Sequence, residues 1–100
     1  MNSIYLTVLS RLYAIFRLVW ALEVSILLHI FDEPGARYTW FYRHSGSRGA
    51  VNRAVRSLKH QGLIYRDEEG GYSCTRLGEK TAGILQELRR ILKNMKPVRG

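Results

Sequence analysis

Residues 47–62 read SRGAVNRAVRSLKHQG, and the fold turns on how this stretch is read. Val51, Ala54, Val55 and Leu58 recur at steps of three and four, which makes one apolar stripe on a helix. Ser47 stands where a helix N-cap belongs, and Gly62 where a helix stops. The spacing therefore predicts a helix docked on a core. Its outer face presents Gly49, Asn52, Arg53, Arg56 and His60 and carries no carboxylate.

The charge around this helix is as uneven as the helix itself. From Pro34 to Arg66 the chain holds seven basic residues (Arg37, Arg43, Arg48, Arg53, Arg56, Lys59 and Arg66) and no acidic one. Everything else holds nine basic residues against eight acidic ones, so the net charge of +8 is essentially one patch. A basic patch of this kind is the electrostatic footprint of a polyanion site.

Upstream, Thr39 is placed to cap a short helix running to about Ser45, with Trp40 and Phe41 toward the core and Gly46 in the turn. A short helix, a tight turn and a longer arginine-faced helix make a helix-turn-helix pattern. Residues 36–39 are expected to form a short strand before it. Downstream the period changes. Leu63–Arg66 and Tyr72–Thr75 are expected as two strands about the Gly-rich turn 67–71. Thr75 then caps a helix over residues 76–95, where Ile84, Leu88, Ile91 and Met95 form a heptad-like seam suited to a partner helix.

Residues 3–31 are strongly apolar, without Gly or Pro. Arg11, Arg17, Glu23 and His29 interrupt them, and the longest run in the segment free of Asp, Glu, Lys and Arg is residues 1–10, too short for a span. No membrane association is expected. The reading is a first helix over residues 3–19, with Ile4, Val8, Leu12 and Ile15 on one face. A second follows to Phe31, with Leu27, Ile30 and Phe31 for the core, and Asp32-Glu33-Pro34-Gly35 ends it. Two apolar faces exceed what 100 residues cover alone, so the first and last helices are expected to pack against a second copy of the chain. The whole is expected as a single α+β, mostly helical domain. It comprises an N-terminal dimerisation helix (3–19), a core (20–75), a C-terminal dimerisation helix (76–95) and a frayed tail (96–100).

The runs VNRAVRSLKHQGLIYR (51–66) and GGYSCTRLGEK (70–80) resemble winged helix-turn-helix regulators of the MarR/PadR-like type. The resemblance implies a recognition helix, a Gly-Leu-Ile turn into the wing, an aromatic strand and a Leu-Thr-x-x-Gly-like start to the next helix. Here that start is Cys74-Thr75-Arg76-Leu77-Gly78, with Cys74 in the leucine position. It further implies a homodimer on pseudo-palindromic double-stranded DNA that regulates transcription, with repression the expected sign. The chain is shorter than most regulators of that type, so a roomy effector pocket, and with it a small-molecule effector, is not expected. The wing tip, Asp67-Glu68-Glu69, departs from the usual basic one, and carboxylates beside phosphates are repelled.

On such a helix Gly49 leaves room for close approach, Asn52 suits adenine, and Arg53 and Arg56 suit guanine. Arg37, Arg43, Ser47, Arg48, Lys59, His60 and Arg66 are assigned to phosphates, which set affinity rather than sequence. Two other readings share these features: an architectural DNA-coating protein of low specificity, and a winged-helix protein-interaction module. No enzyme, metal or cofactor is expected. His29, His44, His60 and Cys74 lack metal-ligand spacing, no paired carboxylates mark an active site, and Gly70-Gly71 is a hairpin turn rather than a phosphate loop. The lone Cys74 fits a reducing compartment, and no cleavage site follows the apolar start, so a cytoplasmic, nucleoid-associated chain is expected.

Overall fold

The computed structural model describes Thr7, Arg11 and residues 17–45 and 47–94. Four helices have both ends among the described residues, α1 (Leu22–Asp32), α2 (Tyr38–Ser45), α3 (Arg48–His60) and α4 (Arg76–Asn94), and residues 17–19 are helical too. Between α3 and α4 lie two short antiparallel strands, β1 (Ile64–Arg66) and β2 (Tyr72–Cys74). The described residues are thus mostly helical with one small sheet, an α+β arrangement. The first-helix positions Ile4, Val8, Leu12 and Ile15, together with Met95 and the tail, lie outside the described residues.

α1 is the centre of the packing, lying against α3, α4 and β2. Three neighbours cover more of a helix than one apolar stripe does. That is why Ile26 and Leu28 are buried along with the expected Leu27 and Ile30, while Phe31 is only partly buried. Pro34 biases Glu33 away from helical angles, and Glu33 leaves the helix at φ −131°. Gly35, at φ +88°, takes a turn that other residues reach only with strain.

The expected strand at 36–39 is reduced to a single bridge, Ala36 to Tyr72. Gly35 N–H donates to Tyr72 O and Tyr72 N–H to Ala36 O, both at 2.8 Å. The Arg37 carbonyl then accepts from Trp40 N–H, so α2 starts at Tyr38 and Thr39 lies inside the helix rather than capping it. Of the two aromatic residues expected in the core, Phe41 is fully buried. Trp40 is half-buried and stacked between the His29 and His44 rings.

α3 matches its sequence pattern closely. Val51, Ala54, Val55 and Leu58 are buried, the Ser47 hydroxyl accepts from Ala50 N–H at 3.3 Å, and Gly62 stops the helix at φ +73°. Substituting such a cap by alanine costs about 1 kcal/mol. The Ser45 hydroxyl also donates to Ser47 O and accepts from Ser47 N–H, both at 3.2 Å, which ties the end of α2 to the start of α3.

The hairpin pairs Ile64 with Cys74, Tyr65 with Ser73 and Arg66 with Tyr72. Asp67 builds its turn, since one carboxylate oxygen accepts from both Glu69 N–H (3.0 Å) and Gly71 N–H (2.9 Å). Thr75 caps α4, its hydroxyl accepting from Gly78 N–H at 3.0 Å. The far half of α4 is held by Arg89, which donates to Val19 O (2.7 Å) and to the Ser25 hydroxyl (2.8 Å) and lies over the Trp20 ring. Among the described residues no helix is long and apolar enough to cross a membrane.

Candidate nucleic-acid interface

The residues singled out by sequence fall into three groups. By helical spacing Gly49, Arg53, Arg56 and His60 share the outermost line of α3, opposite its buried stripe, and all four are exposed. Because that stripe is fully buried, the line is held rigidly outward. None of these side chains pairs with a carboxylate among the described residues.

Asn52, Arg48 and Lys59 form the second group, turned toward α2. The Tyr42 hydroxyl donates to Asn52 Oδ1 at 3.0 Å, and the Arg48 guanidinium lies over the Tyr42 ring, 5.2 Å from its centre. Asn52 therefore sits on the flank of the helix with its carbonyl oxygen engaged, a refinement of its expected outward, adenine-reading position. Arg56 is shared between this flank and the outer line. A cleft of about 390 Å³ runs here between α2, α3 and β2. Tyr38 lines it, and its phenol is pushed up to about 12, first by burial and then by a hydrogen bond with Tyr72. That phenol stays protonated at any ordinary pH.

The third group gathers at the hairpin. Arg37 donates to Glu69 O at 2.8 Å, 32 residues away in sequence. A side chain at Gly70 would meet the guanidinium groups of both Arg37 and Arg66 at 3.6 Å. Two cations thus flank the turn whose tip carries the exposed Glu68 and Glu69. Asp67, read from sequence as part of that acidic tip, is turned inward as a structural acceptor. Arg43 is exposed on α2. His44 is exposed too, but its Nδ1 lies 2.9 Å from Trp40 O.

Two features escaped the sequence reading. The hydroxyls of Tyr38, Tyr42 and Tyr72 belong to this surface; the spacing of Tyr38 and Tyr42, one turn apart on a short helix, was the available signal. Glu23 of α1 accepts from Gln61 Nε2 at 3.0 Å, so a carboxylate reaches the C-terminal end of α3 on the flank away from α2. Elsewhere, burial first and then Glu79 push the Cys74 thiol up, which favours its protonated form. Among the described residues no group of three or more His, Cys, Asp or Glu could hold a metal ion.

The seam positions of α4 form a separate face. Ile84 is 69% exposed and Ile91 41%, and with Leu88 they line a shallow apolar groove of about 690 Å³. No family model, curated protein or solved structure matches the chain.

Proposed function

We propose that the chain binds double-stranded DNA through α3 as a homodimeric winged-helix regulator of transcription, acting as a repressor. The observation that carries this reading is the outer line of α3. It is a capped helix anchored by four buried residues, presenting Arg53 and Arg56 beside Gly49 with no carboxylate among them. A helix with its N-terminal half exposed and cationic suits the major groove. The hairpin directly after it serves as the wing, with Arg37 and Arg66 flanking its turn for phosphates. The acidic tip, Glu68 and Glu69, stays clear of the backbone it would repel. The apolar face of α4 supplies the dimer seam, and a dimer would set two copies of α3 about one DNA turn apart, roughly 34–36 Å.

The test is a fluorescence-anisotropy titration on a pool of random-sequence duplexes, with selection of the bound fraction and a salt series. The expected result is a two-fold symmetric motif bound about a thousandfold tighter than bulk DNA. Absence of binding at moderate salt would overturn the proposal.

One observation favours a second reading within the same class. Asn52, the one amide on the α3 face, has its oxygen committed to Tyr42, which leaves fewer groups for base recognition. On an architectural reading, binding is salt-steep and no motif is enriched.

A further inference from the structure

The cleft between α2, α3 and β2 has one chemical character. Two cations, Arg56 and Lys59, line it one helical turn apart, with the phenols of Tyr38, Tyr42 and Tyr72 and the amide of Asn52. Among the described residues no carboxylate lines it. The Tyr42 hydroxyl occupies Asn52 Oδ1, so the amide offers its N–H₂ group to whatever enters. The Tyr38 and Tyr72 hydroxyls are engaged with each other. Arg56 and Lys59 have no carboxylate partner among the described residues. The cleft is therefore cationic, and its free donors are the Asn52 amide, the Arg56 guanidinium and the Lys59 ammonium. Those are the requirements of an oxyanion that accepts several hydrogen bonds and carries charge, as a phosphate group does. A guanine edge also presents two acceptors, but it carries no net charge, and two adjacent cations match a charged oxyanion better.

We infer that this cleft is a phosphate seat, in which Asn52, Arg56 and Lys59 hold a backbone phosphate of the bound duplex. This rests on the DNA-binding reading and alters it in one respect. Asn52 and Arg56 serve affinity, and base discrimination on α3 falls to Arg53 on the outermost line. Other sources of the same chemistry are free phosphate and small phosphorylated molecules, which would enter the cleft in competition with DNA.

The test uses the full chain and three variants, Lys59→Met, Asn52→Ala and Arg53→Met. Each is titrated against the preferred duplex and against single-base variants of it, across a salt series. Inorganic phosphate is titrated separately against the free chain, with tyrosine signals as the readout. Each phosphate contact contributes a slope of about 0.9 in log affinity against log salt. Removing Lys59 is thus expected to cost roughly eightfold at 0.1 M salt relative to 1 M, by the same factor on every duplex, and to flatten the slope by about one. Asn52→Ala is expected to leave the ranking of duplexes unchanged, and Arg53→Met to change it. A reordered ranking in Asn52→Ala, or an unaltered salt slope in Lys59→Met, overturns the phosphate seat while leaving DNA binding intact. If the parent chain binds no DNA yet inorganic phosphate shifts the tyrosine signals and Lys59→Met abolishes the shift, the cleft is a phosphate site for a free ligand and the DNA-binding reading fails by itself. If neither DNA nor phosphate binds, both fail.

Discussion

Gly78 sits in the first turn of α4, where the helix crosses the start of β1. A methyl group there would lie 1.8 Å from the Leu63 carbonyl oxygen, 2.8 Å from its carbon and 3.3 Å from Cys74 Cβ. The obstacle is backbone and cannot swing aside. Reaching even 3.0 Å from that oxygen requires a displacement of 1.2 Å (3.0 minus 1.8). The same carbonyl accepts from Thr75 N–H at 3.0 Å, and the Thr75 hydroxyl donates to Gly62 O, so the displacement pulls at both bonds. Overpacking costs about 1–3 kcal/mol, and each strained hydrogen bond is worth about 1 kcal/mol. Against this, alanine in place of glycine inside a helix gains about 1 kcal/mol. The clash wins, and Gly78→Ala is expected to destabilise by roughly 2–3 kcal/mol, taking about 10–20 °C off the melting temperature of a domain this size. Thermal unfolding followed by circular dichroism measures it. Gly83→Ala on the same helix is the control: among the described residues nothing lies within 4 Å of the new methyl group. Measured at a dilution where the chain is monomeric, it is expected to raise the melting temperature by helix propensity alone. A Gly78→Ala protein that melts with or above the parent would refute the close approach of α4 to Leu63.

Three further outcomes are expected. Ser47→Ala removes the side-chain acceptor of Ala50 N–H and lowers stability by about 1 kcal/mol, measured by urea unfolding. His29, stacked on Trp40, is held below the ordinary 6.5 by burial first and by His44, against the opposing pull of Glu33 and Asp32. The unfolded chain therefore takes up the proton first. The contribution of His29 is fully present above about 6.5 and is lost as pH falls through the lowered folded value. A pH series of melting temperatures shows that slope in the parent and loses it in His29→Phe, which keeps a flat ring against Trp40. Ile84→Glu places a carboxylate in the exposed apolar groove of α4. Sedimentation is expected to show a dimer dissociation constant more than about tenfold higher than the parent's, equivalent to 1.4 kcal/mol; an unchanged constant removes α4 from the seam.

α3 was legible from residues alone because its signals are local. Four apolar residues at helical spacing, a serine before them and a glycine after them need no knowledge of the rest of the chain, and the structure places each as expected. The hairpin was legible for the same reason, its Gly-rich turn lying between two short apolar runs, and so was Thr75 as a cap. The acid-free segment that marks the candidate site is likewise a property of the linear sequence. What stayed hidden depends on partners distant in the chain. Tyr72 reduces the expected strand at residues 36–39 to one bridge, and Arg37 is tied to Glu69 across 32 positions. Trp40 is sandwiched by a histidine from α1 and one from its own helix. The outward position of Asn52 was inferred from helical angle alone, but a hydroxyl from the neighbouring helix decides what its amide offers. Periodicity states which side of a helix is polar. Only packing states which polar groups on that side already satisfy one another, because hydrogen bonds between side chains depend on distances of a few ångströms between elements that the sequence keeps apart.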